Sequence, residues 1–339
     1  RQCTDSNIGA KSITESRNVS AKSKERRSRL RFVSQNCNGL KTDELLEEMY
    51  CNFEGQDIFA ACLQETWREG KESLERPGSD VKTLLVGKPK QRGRGSCGVG
   101  IALSGKGVQA WKEAGSVVFD GLGPNVIATR LQVKDAKGKD VGIHLISAYR
   151  HAEWKWQEFE STLDRCIALK KSGDIVVIGM DCNASLGVRC EGSDQNGASG
   201  SNQWPCGKFG NPRVTEPGKK MLSFLASRSL AAMSTFFRRG KPRGYGTWKS
   251  NFNDKLYQID HFFCAQADKR RVTNCKRWAR KLVKSDHSAV IMTLRVACNM
   301  QRKKPDARAQ LVNRDWGYIT GSGEEADKRK VEFAEKVMV

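Results

Sequence analysis

The sequence predicts a layered α/β or α+β sandwich, not a helical bundle. From Leu30 onward, short apolar runs rich in Val, Ile and Phe recur between Gly and polar clusters, whereas helical spacing appears in only a few stretches. A chain of 339 residues is long enough for one large domain with tails, or two small ones. Many strands with occasional helices call for layers that bury one another's apolar faces.

Taken in order, Arg1 to Arg29 is rich in Ser, Lys and Arg and poor in large apolar residues. It cannot bury enough surface to offset its ordering entropy, and a disordered basic arm is expected. A nuclear-import signal and a plain solvated tail both fit Lys22 to Arg29. The folded domain is expected over 30–298. Its strands are read at Arg31 to Cys37, Asp57 to Leu63, Lys82 to Val86, Val99 to Leu103, Val126 to Val133, Val141 to Tyr149, Ile175 to Met180, Leu256 to Cys264 and Ala289 to Val296. Thr42 is placed to cap a helix carrying Leu45, Leu46 and Met49. Trp154 to Leu169 puts Trp156, Phe159, Leu163 and Ile167 on one face. Pro217 suits the start of a third helix through Met221, Phe224 and Leu225, where its missing N–H is not needed. The spacing Gly93, Gly95, Gly98 mimics a dinucleotide fingerprint, but it precedes a strand instead of following one, so a basic hairpin is preferred. Arg189 to Pro217 reads as a long surface loop, and 299–339 as a charged linker or tail.

The formal net charge of +21 makes a polyanion the most economical partner, with nucleic acid ahead of an anionic membrane. The 12 cysteines form no CxxC pair and no small-domain framework, and Cys37, Cys62, Cys97, Cys182 and Cys264 fall inside apolar runs. Buried reduced thiols in an intracellular protein, nuclear or cytoplasmic, are expected. No stretch is apolar enough to span a bilayer, and no membrane partner is expected. A monomer is expected.

Polar residues repeatedly stand where apolar runs end. Asn36 and Asn38 follow RFVS, Glu65 follows ACLQ, Tyr149 follows LISA, Asp181 and Asn183 follow VVIGM, Asp260 follows YQI, and Asp286 and His287 precede AVIMTL. Each alone fits a turn former or a satisfied pair. Together, carboxylates, carboxamides and one His suit a hard, oxygen-bound cation such as Mg²⁺. Phosphodiester hydrolysis needs such a set: a cation on a phosphate oxygen, an oriented water, and donors to developing negative charge.

The strings QNCNGL (Gln35–Leu40), LQET (Leu63–Thr66), GMDCNA (Gly179–Ala184), QIDHF (Gln258–Phe262) and SDH (Ser285–His287) resemble, in this order, the endonuclease/exonuclease/phosphatase superfamily. The stretch Gly207–Phe237, followed by YGTWKS (Tyr245–Ser250), is similar to endonucleases of non-LTR retrotransposons, especially the RTE type. The craniofacial development protein 2 group of host proteins, related to those elements, has similar motifs. The resemblance implies an α+β fold, a four-layered α/β sandwich of two packed mixed β-sheets flanked by helices. It further implies a DNA endonuclease dependent on Mg²⁺, with Mn²⁺ as a substitute, that nicks one strand for a reverse transcriptase outside this chain.

Residue by residue, the resemblance implies metal binding by Glu65, with Asn36 and Asn38 supporting metal and phosphate. It implies that Asp181 orients or deprotonates the attacking water and that Asn183 holds the phosphate. His287 would contact the scissile phosphate, oriented by Asp260, with Asp286 near the metal and Tyr149 beside the phosphate. Thr247 would be a further phosphate contact. The chain departs from the family after Tyr149, where Arg150, His151 and Ala152 replace a segment that usually holds a phosphate-contacting Asn, so either Arg150 or His151 substitutes as a cationic donor or the activity is reduced or altered. Arg238, Arg239, Lys241, Arg243 and Lys249 flank Tyr245 and Trp248, a pattern that fits either phosphate neutralisation with an aromatic wedge or a solvated hairpin with Trp248 in the core. Abasic-site repair and a non-catalytic DNA-binding module are the alternative functions.

Overall fold

The computed structural model describes residues 29–89, 97–188, 204–238 and 244–296. In chain order the elements are β1 (Arg29–Asn36), α1 (Asp43–Phe53), β2 (Ala60–Gln64), β3 (Lys71–Glu75), β4 (Lys82–Val86), β5 (Val99–Leu103), α2 (Gly105–Glu113), β6 (Val118–Phe119), β7 (Val126–Lys134) and β8 (Asp140–Tyr149). They continue with α3 (Trp156–Ala168), β9 (Ile175–Asp181), α4 (Glu216–Ser227), β10 (Leu230–Ala232), β11 (Trp248–Lys249), β12 (Leu256–Tyr257), β13 (Asp260–Ala265), β14 (Val272–Arg277) and β15 (Val290–Arg295). The basic arm and the C-terminal tail lie outside the described residues, as do most of the long loop after Arg189 and Gly93 with Gly95.

Two mixed sheets result. The first has seven strands in the order β14-β15-β1-β2-β5-β4-β3, and the second has six in the order β10-β13-β9-β8-β7-β6. In each sheet one central pair is parallel, β1 with β2 and β8 with β9, and the other pairings are antiparallel. Period-two alternation decides which side chains meet between the sheets. Phe32 of β1, Cys62 of β2, Leu145 of β8, Val177 of β9 and Phe262 of β13 share one apolar cluster between them. The alternate residues face outward: Val33 and Ala61 pack under α1, while Ile146, Ile178 and Phe263 pack under α3 and α4. The layers are therefore helix, sheet, sheet and helix.

Local chemistry sets the helix ends. Thr42 accepts the Leu45 N–H at 3.3 Å, and Asp43 and Glu44 sit at the positive end of α1. Thr215 caps α4, with Pro217 in its first turn. At α3 the apolar face falls on Phe159, Leu163 and Cys166, with Trp156 and Ile167 at its margin.

Several elements carry too weak a pattern to be read from sequence. β3 carries three charged residues with one Ser and one Leu and is an edge strand defined by its pairing with β4. β14 is similarly polar, and β6, β10 and β11 are only two or three residues long. Gly105 and Gly107 disfavour α2 intrinsically, yet Ser104 caps it, and a Cβ at Gly107 would lie 2.5 Å from the Phe59 carbonyl. The single strand expected over Leu256 to Cys264 is in fact two. β12 pairs with β11 in a separate hairpin and β13 joins the second sheet, because Gln258 turns inward between them to donate to Ser234 Oγ at 3.1 Å.

The sheets approach so closely at Gly179 of β9 that a Cβ there would stand 2.6 Å from Cys62 Cβ on the opposing sheet. Gly179→Ala is expected to destabilise the domain by about 1–3 kcal/mol through overpacking, measured as a lowered denaturation midpoint. All the described cysteines are free, and burial pushes the Cys37 and Cys62 thiols up to about 12. These thiols act as small apolar side chains. Among the described residues, no helix is long and apolar enough to cross a membrane.

Candidate active site

Strand direction gathers the polar residues at one end of both sheets. Asn36 closes β1 opposite Gln64 of β2, with Glu65 following, and Tyr149 closes β8 opposite Asp181 of β9, which itself faces Asp260 of β13. Alternation then aims them inward. Asp181 continues the inner row Ile175, Val177, Gly179, while Tyr149 continues Ile143, Leu145 and Asp260 precedes Phe262 and Cys264. The apolar core between the sheets thus ends in a floor of carboxylates and amides.

Asn36 joins two of these carboxylates. Its Nδ2 donates at 2.8 Å to Glu65 Oε1 and at 2.8 Å to Asp181 Oδ2. Glu65 Oε2 accepts from Trp67 Nε1 at 3.3 Å, and Asp181 Oδ1 accepts the Asn183 N–H at 2.9 Å. Glu65, Trp67, Asn38 and Asn183 all have positive φ, between 46° and 54°. Such backbone persists when the surroundings over-determine it, as at functional sites. Gly39 has φ +114°, and a Cβ there would lie 2.7 Å from the Trp67 ring, so this turn requires glycine.

Asp181 is fully buried. Burial, and then the neighbouring Asp260 carboxylate, push its pKa up to about 7, against the opposing pull of His287 and the donors from Asn183 and Asn36. His287 Nδ1 lies 3.0 Å from Asp260 Oδ2 and 3.2 Å from Oδ1. Burial opposes its charge, but Asp260, Asp181 and Asp286 outweigh burial and raise His287 to about 10. Burial and the Glu65 and Asp181 carboxylates push Tyr149 well above its ordinary range, so it remains a neutral donor. One ligand atom each from Asp181, Asp260 and His287 lie within 4.8 Å of one another.

The Arg150 side chain turns away from Tyr149. Its guanidinium lies over the Trp156 ring at 5.7 Å and 3.4 Å from the Cys182 carbonyl, on the helix-covered face opposite to that of Tyr149. Alternation after Tyr149 sends it there. Arg150 serves the site through its backbone: its N–H donates to the Asp181 carbonyl at 3.0 Å and its carbonyl accepts from Asn183 Nδ2 at 2.9 Å. His151 stays beside Tyr149, with ring centroids 6.1 Å apart.

No protein-family profile matches the chain, and no curated protein matches its sequence. Solved structures do match. An AP endonuclease from Leishmania major aligns with a TM-score of 0.54 at 14% identity, over 80% of this chain and 89% of its own. The endonuclease domain of TRAS1, a telomere-specific non-LTR retrotransposon, aligns with a TM-score of 0.50 at 14% identity, over 80% of this chain and 100% of its own. A 3′-5′ exonuclease from Neisseria meningitidis aligns with a TM-score of 0.50 at 14% identity, over 78% and 98%. The chain has the endonuclease/exonuclease/phosphatase fold.

In this endonuclease/exonuclease/phosphatase fold the loop before β15 and the β11–β12 hairpin meet beside the Asp260–His287 pair. Asn38 Nδ2 donates to Asp286 Oδ1 at 3.1 Å and Trp248 Nε1 donates to Asp286 Oδ2 at 3.0 Å, so both oxygens of this exposed carboxylate are held. Trp248 also forms a β-bridge with His287, and their rings are 6.2 Å apart. Trp248 is thus partly exposed and tied to the site, not a core residue. Thr247 is buried, and its hydroxyl accepts the Ile259 and Asp260 N–H groups at 3.1 Å each. These bonds position Asp260. Arg243 lies outside the described residues.

Four supporting residues escaped the sequence reading. Gln64 Nε2 links the sheets, lying 3.2 Å from Ser34 Oγ, 3.3 Å from Ser147 Oγ and 3.3 Å from the Gly179 carbonyl. Gln35 anchors the Ser285–His287 loop through Leu282 N–H at 2.6 Å and the Val283 carbonyl at 2.9 Å. Ser285 Oγ donates to the Asn36 carbonyl at 2.8 Å and accepts the His287 N–H at 3.1 Å. Gln35, Gln64 and Ser285 lie within the motifs themselves, and Trp67 is the second residue beyond Glu65. Phe252, at the tip of the hairpin, is 97% exposed and carried no sequence signal.

Proposed function

We propose that the chain is a divalent-cation-dependent DNA endonuclease of retrotransposon origin that nicks one strand and leaves a 3′-hydroxyl for a reverse transcriptase. The observation that carries this reading is the bridge from Asn36 to Glu65 and Asp181 beside the Asp260–His287 pair. The retrotransposon assignment is supported by the Gly207–Phe237 and Tyr245–Ser250 stretches and by the shared fold of the TRAS1 endonuclease domain.

The oxygen-rich donor set fits a hard cation such as Mg²⁺, with Mn²⁺ as a substitute. Glu65 would hold it, with Asn38 and Asp286 alongside. Asp181, Asp260 and His287 form a tight cluster, but the surrounding carboxylates hold the His287 ring protonated and a protonated imidazole does not ligate a cation, which favours the Glu65 side. When bound, the cation supplies Lewis-acid polarisation of a phosphate oxygen.

The chain's own residues supply the rest. Asp181 accepts the proton of the attacking water, its raised pKa making it a competent base near neutrality. The water oxygen bonds to phosphorus, the P–O3′ bond breaks, and its electron pair leaves with the 3′ oxygen, which takes a proton from solvent water to become the hydroxyl, while Asp181 returns its proton to solvent. His287, its Nδ1 held by Asp260, presents Nε2 to a non-bridging oxygen, and Tyr149 and Asn183 donate to the same phosphate. Trp248 and the exposed Phe252 offer apolar surfaces to the bases beside the nick.

Supercoiled plasmid with Mg²⁺ is expected to relax to open circles whose ends a polymerase extends, and chelation is expected to stop the reaction. Glu65→Gln is expected to raise the Mg²⁺ concentration needed by at least about tenfold. Plasmid left intact by the wild type overturns the proposal. Abasic-site repair, favoured by the fold shared with the Leishmania AP endonuclease, replaces it if an abasic duplex is cut at least about 100-fold faster than an undamaged one.

A further inference from the structure

We infer that the open edge of the seven-stranded sheet, at β14 and the turn leading into it, is a second DNA-binding surface that carries the duplex on one side of the nick. This rests on the proposed nuclease reading for its substrate. Among the described residues β14 is the terminal strand of its sheet. Between Ala265 and Arg277 stand five cations, Lys269, Arg270, Arg271, Lys276 and Arg277, against one carboxylate, Asp268. That carboxylate is already paired with Arg271 at 2.9 Å. Arg270 and Lys276 are exposed. Lys269 Nζ lies 4.7 Å over the ring of Phe236, in the short 3-10 turn Met233–Phe236 packed beside β14, and the exposed Arg238 follows.

One end of the wall reaches the candidate site. Arg277, at one end of β14, pairs with Val290, the third residue after His287, while Val272 at the other end pairs with Leu294. Six strand residues span about 20 Å. At about 3.4 Å per base pair this matches about six base pairs of duplex leading away from the scissile phosphate. A lysine or two would suffice to keep an edge strand from pairing with another chain, whereas here cations stand at both ends of the edge, Lys276 and Arg277 at the end near His287 and Lys269, Arg270 and Arg271 in the turn at the other. A phosphate backbone is the partner that this charge complements.

The test uses the full chain with Lys269→Glu, Arg270→Glu and Lys276→Glu combined, and two duplexes that extend about 20 base pairs on opposite sides of the site and about three on the other. Binding is measured in EDTA, so the result stands whether or not the protein cuts. The variant is expected to lose at least about tenfold affinity for one duplex, to bind the other within about twofold, and to lower the salt-dependence slope on the first by about 3. Unchanged affinity for both, equal losses on both, or a loss confined to single-stranded RNA of the same length overturns the inference.

Discussion

Replacing Asp181 with Asn is expected to lower the nicking rate by about 10²–10⁴-fold, the range for loss of a positioned general base, with DNA binding and circular dichroism unchanged. The wild-type rate is expected to rise with pH through the ionisation of Asp181, which burial and Asp260 move up to about 7. That limb should vanish in Asp181→Asn. In Asp260→Asn it should shift to lower pH, because the neighbouring negative charge that raises Asp181 is gone. Single-turnover rates across pH 5 to 9 measure both. The sign for stability is the reverse of the usual carboxylate. A raised folded-state pKa means that Asp181 favours the fold most below the ordinary carboxylate range, and this contribution is lost as pH rises through about 7.

Asp260 and His287 are expected to behave as one unit. Asp260→Asn, His287→Gln and the double variant should lose activity by similar factors, so the two single losses do not add. His287 has a raised pKa of about 10, so the pair's contribution to stability is fully present below about pH 6.5 and is lost as pH rises through about 10. Breaking the buried pair with Asp260→Asn is expected to cost about 3–5 kcal/mol at pH 6, falling as His287 sheds its proton in the alkaline range. Urea denaturation of the wild type and Asp260→Asn between pH 6 and 10 measures this. Equal stability of the two proteins at pH 6 would remove Asp260 as the partner of His287.

How far the sequence was legible varies with how local the signal is. β4 and β5 were read to the residue because their apolar runs are buried and sharply bounded. β3 and β14 were not, since edge strands face water and are held by a neighbour's backbone rather than by their own pattern. The same logic separates the site residues. Asp181, Asp260 and His287 stand out as polar residues beside apolar runs. Where the Arg150 side chain turns and which donors the Thr247 hydroxyl meets cannot be read from residue type, because both depend on strand-end alternation and on contacts distant in sequence.

By itself the sequence determined a layered sandwich, a basic chain suited to a polyanion, and a recurring set of carboxylates, amides and one His at the ends of apolar runs. Those properties follow from side-chain chemistry and from periods of two and 3.6 residues. Only the tertiary structure decided that β1 and β2 run parallel in one sheet, and β8 and β9 in the other, so that Asn36, Glu65, Tyr149, Asp181, Asp260 and His287 meet at one end. Pairing direction and sheet order depend on contacts between residues far apart in sequence. Asn36 lies 145 positions from Asp181, yet its amide binds that carboxylate and Glu65 together.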